Sequence, residues 1–143
     1  MTSIKRNALV EHSAEEMFDL VNDIEQYPKF MTGCTSARVI ESSDTELLGE
    51  LSLGKAGISQ RFVTRNSLNR PHSIIMNLEE GNFSSFDARW DFKVLGDKAC
   101  KVSLVMEFEF DSSLMNFALE KLFASVANNL VDAIVNRSHQ VYG

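Results

Sequence analysis

Apolar and polar positions along this chain alternate with different periods, and each change of period marks an element. Ile4 to Val10 reads as a strand, and His12-Ser13-Ala14-Glu15-Glu16 then offers a helix start. Ser13 can cap the helix, and Glu16, three residues on, completes a capping box. Met17, Phe18, Leu20, Val21 and Ile24 give that helix an apolar stripe at three- and four-residue spacing. Tyr27-Pro28 ends it, because a residue before proline is pushed away from helical angles.

From Cys34 the period becomes strand-like. Glu46 to Lys55 places Leu47, Gly49, Leu51 and Leu53 on one face, and Phe86 to Val94 places Phe86, Ala88, Trp90, Phe92 and Val94 together. Cys100 to Phe110 repeats the alternation with Val102, Leu104, Met106, Phe108 and Phe110 inward. Turn signals at Ser42-Ser43-Asp44, Gly54 to Gly57, Asn69-Arg70-Pro71, Gly81-Asn82 and Gly96-Asp97 separate these runs. Short turns between alternating strands predict an antiparallel sheet with one covered and one wet face.

The chain ends in a helical segment from about Ser113 to Tyr142, opened by the capping cluster Asp111-Ser112-Ser113. At 1.5 Å per residue it would be roughly 45 Å long, enough to cross a sheet. Its early half is apolar almost all round, which predicts enclosure on several sides or contact with a partner or ligand. The element order is strand, short helices, a run of about six strands, then a long helix. An α+β fold follows, with a strongly bent antiparallel sheet wrapped around the C-terminal helix and an apolar cavity where the two do not meet.

Composition sharpens this picture in two places. The 143 residues suit a single domain, 1–143, and no linker or repeat divides them. Ten Phe and six Met in a chain of this size are more large apolar side chains than a plain core suggests, and they favour walls around apolar space. The formal net charge of −6 disfavours nonspecific nucleic-acid binding, and DNA is not an expected partner. No stretch approaches a membrane span, the N-terminus has no apolar signal region, and Cys34 and Cys100 stand alone. A cytoplasmic protein is expected.

Candidate chemistry is sparse. His12, His72 and His139 have no ligand-spaced company, so they read as surface or capping residues and no metal site is expected. Gly54-Lys55-Ala56-Gly57 matches the GxxG backbone clamp of KH domains, but its flanks alternate like strands and a hairpin turn explains it. The strand from Ile58 shows Ile58, Gln60, Phe62, Thr64 and Asn66 on its inner face. Two readings stand: an edge strand whose polar side chains meet water, which asks for slightly less, or polar groups that orient a ligand head group within an apolar pocket. No carboxylate pair and no nucleophile–base pair can be read off, so catalysis gets no positive support and no catalytic residue is assigned.

Several stretches together carry a resemblance. Val21-Asn22-Asp23-Ile24-Glu25-Gln26-Tyr27-Pro28-Lys29-Phe30 with Gly33-Cys34, Lys55-Ala56-Gly57-Ile58-Ser59 with Thr64-Arg65-Asn66, and Met76-Asn77-Leu78 with Gly81, Phe83, Trp90 and Phe92 are three of them. Val126-Ala127-Asn128-Asn129-Leu130-Val131-Asp132-Ala133 is a fourth. Together they resemble the coenzyme Q-binding and ribosome-association-toxin proteins of the START-like (polyketide cyclase/dehydrase, SRPBCC) superfamily, over essentially the whole chain. The chain departs from that pattern at Thr32 and Asn82, where relatives usually carry Pro, and at Ser84, where a Lys is common. The missing cation weakens the case for RNA contact through that turn.

The resemblance implies a helix-grip (Bet v 1-like) fold and two roles. The first is nonenzymatic binding of a polyprenyl quinone of the ubiquinone type, or a related lipid, in support of respiratory electron transport, with no cofactor required. Phe62, Trp90, Phe92, Met106 and Phe108 from the sheet would then face Phe117, Phe123 and Ala127 from the helix. Gln60, Thr64 or Asn66 would meet the quinone oxygens, and the segment from Tyr27 to Gly33, with Phe30, would close the mouth. Transient contact with the inner membrane accompanies this role. The alternative is a toxin that binds the large ribosomal subunit and blocks subunit joining, with Arg61, Arg65 and Arg70 on an outer strand and its turn, and Lys55 nearby, as contacts. Outward arginines also serve simply to solvate a sheet. A polyketide cyclase ranks third, since it needs an acid or base in the cavity that the sequence does not name.

Overall fold

The computed structural model describes residues 2–111 and 117–143. The capping cluster Ser112-Ser113 and the apolar residues Leu114 and Met115 lie outside the described residues. The elements in chain order are β1 (Thr2–Val10), α1 (Ala14–Asn22), a 3-10 helix (Ile24–Lys29), β2 (Cys34–Ser42), β3 (Glu46–Lys55), β4 (Ile58–Asn69), β5 (Ser73–Glu80), β6 (Phe83–Gly96), β7 (Ala99–Phe110) and α2 (Phe117–Tyr142). The strands form a seven-stranded antiparallel sheet in the order β1-β7-β6-β5-β4-β3-β2. α2 packs on β1 and β7 near one edge and on β3 and β4 towards the other, so the sheet curves around the helix. Register shifts in β2–β3, β4–β5 and β6–β7 supply part of that bend.

Local sequence accounts for the joints. The capping box forms as the spacing predicts: the Glu16 N–H donates to Ser13 Oγ at 3.1 Å and the Ser13 N–H to Glu16 Oε1 at 3.1 Å. Ser13→Ala is expected to cost about 1 kcal/mol of unfolding free energy, read from urea denaturation. The Tyr27 hydroxyl donates to the Val21 carbonyl, tying the 3-10 helix back to the end of α1. Ala56 (φ 52) and Gly57 (φ 84) are both left-handed between the paired Lys55 and Ile58, so the GxxG stretch is a hairpin turn.

Burial follows the alternation on the inner face, with exceptions. Val94 is exposed at the end of β6 rather than inward. His12 is buried, not a surface residue, with its ring 5.6 Å from those of His139 and Tyr142. These partners come from the far end of the chain, which local spacing cannot reveal. Phe117 is 71% exposed, with Lys121 Nζ 5.3 Å from its ring centroid. The buried stripe of α2 runs through Phe123, Ala127, Val131, Ile134 and Ser138. Phe117, six residues before Phe123 at the start of α2, falls about 120° round the helix from Phe123 at 100° per residue.

Candidate functional site

Where α2 stands off the sheet there is a cavity of about 60 Å³, several times the space one water needs. Its floor is the inner sheet face: Gly49, Leu51 and Leu53 of β3; Phe62, Thr64 and Asn66 of β4; Ile74 and Met76 of β5; Phe86 and Trp90 of β6; and Met106 of β7. Phe123, Val126, Ala127 and Leu130 of α2 cover it, and Val21, Asn22, Ile24, Tyr27 and Met31 close its side. Phe62, Thr64, Trp90, Met106, Phe123 and Ala127 therefore come together at this cavity, with Asn66.

The other ligand-facing expectations are placed elsewhere, each for a packing reason. Phe92 meets Phe18 of α1 edge-on at 5.6 Å and stacks with Trp90, so α1 covers it. Phe108 is 4.7 Å from Phe123 and 6.2 Å from Phe83, inside a solid cluster of rings. Phe30 is half-buried outside the cavity lining, under the Arg137 guanidinium at 5.3 Å and beside Tyr27. Gln60 is buried but sits beyond Phe62, four residues up the strand from Thr64. Phe117 stands exposed at the start of α2, six residues before the first helix residue of the lining. The phenylalanine excess is thus largely close-packed: Phe83, Phe108 and Phe110 fill the core, while Phe62, Phe86 and Phe123 face the cavity.

β4 is an interior strand between β3 and β5, so the edge-strand reading of its polar inner face does not hold. Gln60, Thr64 and Asn66 are all buried. Asn22 Oδ1 and Asn66 Oδ1 have no hydrogen-bond partner, although both residues line the cavity. An unpaired buried amide oxygen costs about 1–3 kcal/mol unless something fills the gap, so these groups are polar points in a mostly apolar lining. The described lining carries no carboxylate, histidine, lysine or arginine. Burial raises the Tyr27 phenol and pushes the nearby Cys34 thiol up to about 11, so both are neutral near pH 7. The cavity can hold and orient an apolar molecule, and among the described lining residues none is poised to exchange a proton near pH 7.

Sequence reasoning did not assign Val21, Asn22, Ile24, Gly49, Leu51, Leu53, Ile74, Met76, Phe86, Val126 or Leu130 to the site. Gly49 carried a signal: it interrupts a leucine-lined inner face, and an added Cβ would come within 2.5 Å of Ile24 Cδ1. The signal of Asn22 was hidden because an Asn at a helix end already has a local explanation.

The expected ribosome contacts are mostly neutralised. Arg61 Nε is 2.7 Å from Glu50 Oε2 and its Nη1 3.6 Å from Glu80 Oε1. Arg38 joins the same Glu50 at 3.3 Å. Arg65 bridges Glu46 and Glu79, the latter at 2.8 Å. Arg70 grips Asp19 through Nε and Nη2, both at 2.8 Å. The Arg61 hydrogen bond holds the Glu50 carboxyl below its ordinary value. Alternation puts the buried Val63 between Arg61 and Arg65 on this outer face, opposite Glu50 and Glu80, where long charged side chains cover apolar surface. Lys55, exposed at the hairpin, forms no ion pair among the described residues.

Comparison with known proteins agrees with this geometry. The family model described as polyketide cyclase / dehydrase and lipid transport matches residues 10–135. A Pseudomonas aeruginosa protein named ribosome association toxin RatA is 44% identical over 142 residues, covering 99% of this chain and 99% of its own length. The mitochondrial coenzyme Q-binding protein COQ10 homolog B of Xenopus laevis is 25% identical over 135 residues, covering 92% of this chain and 55% of the relative. A START superfamily protein from Mycobacterium smegmatis superposes with a TM-score of 0.78 at 19% identity, covering 97% of this chain and 98% of that one. That likeness shows the helix-grip fold.

Proposed function

The chain belongs to the polyketide cyclase/dehydrase and lipid transport family, and within it we propose a protein that associates with the ribosome and catalyses no reaction. The observation that carries this reading is the 44% identity, over nearly the full length of both chains, with a relative named for ribosome association. The large subunit is the proposed partner, and blocked subunit joining the proposed consequence. The described cavity lining has no carboxylate, histidine, lysine or arginine, and its one phenol, Tyr27, is held protonated by burial and donates to the Val21 carbonyl, which supports a binding role over a cyclase. Sedimentation of a bacterial lysate with added protein is expected to show co-migration with large-subunit particles and fewer joined ribosomes. Unchanged profiles without co-migration overturn the reading.

A second role is supported by the cavity itself, where unpaired Asn22 and Asn66 oxygens face an apolar space. We propose that it takes a polyprenyl quinone or another lipid with a polar head, the head at Asn22, Thr64 and Asn66 and the tail along Phe62, Phe86 and Met106. Each buried methylene contributes ~0.8 kcal/mol, so a few isoprene units suffice for useful affinity. Organic extracts of the purified protein are expected to contain such a lipid; lipid-free extracts and no binding on quinone titration would sink this role. The two roles use different surfaces and can coexist.

A further inference from the structure

We infer that the outer face of the sheet where β1, β7 and β6 meet docks on the ribosome through the phosphate backbone of its RNA, an inference that rests on the ribosome-association reading above. Antiparallel register sets Leu9 of β1 opposite Lys101 of β7, and Lys101 opposite Lys93 of β6. The neighbours of these residues along each strand, Val10, Cys100, Val102 and Phe92, are buried inward, so the row stands on the outer face. Lys98 lies in the turn between β6 and β7, and Leu95 in the bulge before it. Leu9 is 72% and Leu95 51% exposed.

The lysines of this row are uncompensated. Among the described residues none of Lys93, Lys98 and Lys101 belongs to an ion pair. Asp91, the next outward residue of β6, is taken by Arg89 at 3.0 Å, and Asp97 is the acidic neighbour of Lys98 in the turn. Like charges directly opposite one another, as in Lys93 and Lys101, are unfavourable in a free sheet. A polyanion laid across the row reverses the sign of that interaction. On β2 to β5, by contrast, the arginines already face glutamates and offer a phosphate little net attraction. Lysine charges flanked by leucines, without aromatic rings or free guanidinium planes to stack on bases, suit backbone contact rather than base readout.

The test uses the full chain, purified ribosomal subunits, deproteinised ribosomal RNA and phosphatidylglycerol vesicles. Lys93→Glu combined with Lys101→Glu is expected to weaken subunit binding on the order of tenfold or more and to flatten the log K against log salt plot by about two. The milder Lys93→Gln with Lys101→Gln pair is expected to move both in the same direction while melting like the wild type. Lys121→Glu, exposed on α2 away from this face, is expected to leave binding unchanged, and free ribosomal RNA to compete. If the wild type binds subunits and the lysine variants bind equally well, the inference falls while ribosome association stands. It falls likewise if Lys121→Glu does the same damage, if RNA does not compete, or if the lysine variants lose only vesicle binding. No co-sedimentation by the wild type removes the association reading and this inference together.

Discussion

Phe123→Ala is expected to lower the unfolding free energy by ~3–5 kcal/mol, the range for truncating a fully enclosed aromatic ring. Phe123 is 3% exposed. Its ring centroid lies 4.7 Å from Phe108, 5.0 Å from Phe83, 5.8 Å from both Phe62 and Phe110, and 6.3 Å from Phe86. All five contacts are edge-to-face, a geometry the ring quadrupole favours. They come from β4, β6 and β7, so one side chain of α2 joins strands that are not all neighbours. Truncation removes those contacts and leaves a void open to the existing cavity. Urea denaturation of Phe123→Ala and Phe123→Leu checks this: leucine should recover part of the loss. An alanine variant within about 1 kcal/mol of the wild type would mean that α2 is held elsewhere along its length.

The elements were legible because each depends on nearby residues. Leu47, Leu53, Val102, Leu104 and Met106 face inward as period-two alternation requires, and Ser13 with Glu16 caps α1 as spaced. What was not legible depends on partners far away in the chain. Whether Phe92 lines a cavity or packs under a helix is decided by Phe18, over seventy residues earlier. Whether Arg61 and Arg65 are free cations is decided by strand register, which brings glutamates of β3 and β5 to them. The same register opposes Lys93 and Lys101, and neither stood out in a sequence with a net charge of −6. Phe117 was a different failure: it stands at the start of α2, six residues short of the lining that begins at Phe123, and apolar character alone does not say how far along the helix the cavity reaches.

Asn66→Leu is expected to raise stability and lower ligand affinity together, and that pairing separates a binding site from a structural defect. Asn66 is 6% exposed, its Oδ1 has no partner, and it lines the cavity beside Thr64. Leucine of similar size removes an unsatisfied amide and adds apolar burial, so the free protein should gain ~1–3 kcal/mol. A lipid whose polar head hydrogen-bonds that amide should lose about a factor of ten in affinity, the equivalent of a single net hydrogen bond. Its tail contacts are unchanged, so binding should weaken rather than vanish. Equilibrium denaturation and quinone titration on the same variant read both effects. A less stable Asn66→Leu protein would mean that the amide is already satisfied within the fold. Higher stability with unchanged affinity would leave the cavity a lipid site whose head lies elsewhere. A buried polar group that weakens the free fold persists most readily where a ligand completes it, and Asn66, on an interior strand and in the cavity lining, is a place in this sheet where that principle can be measured.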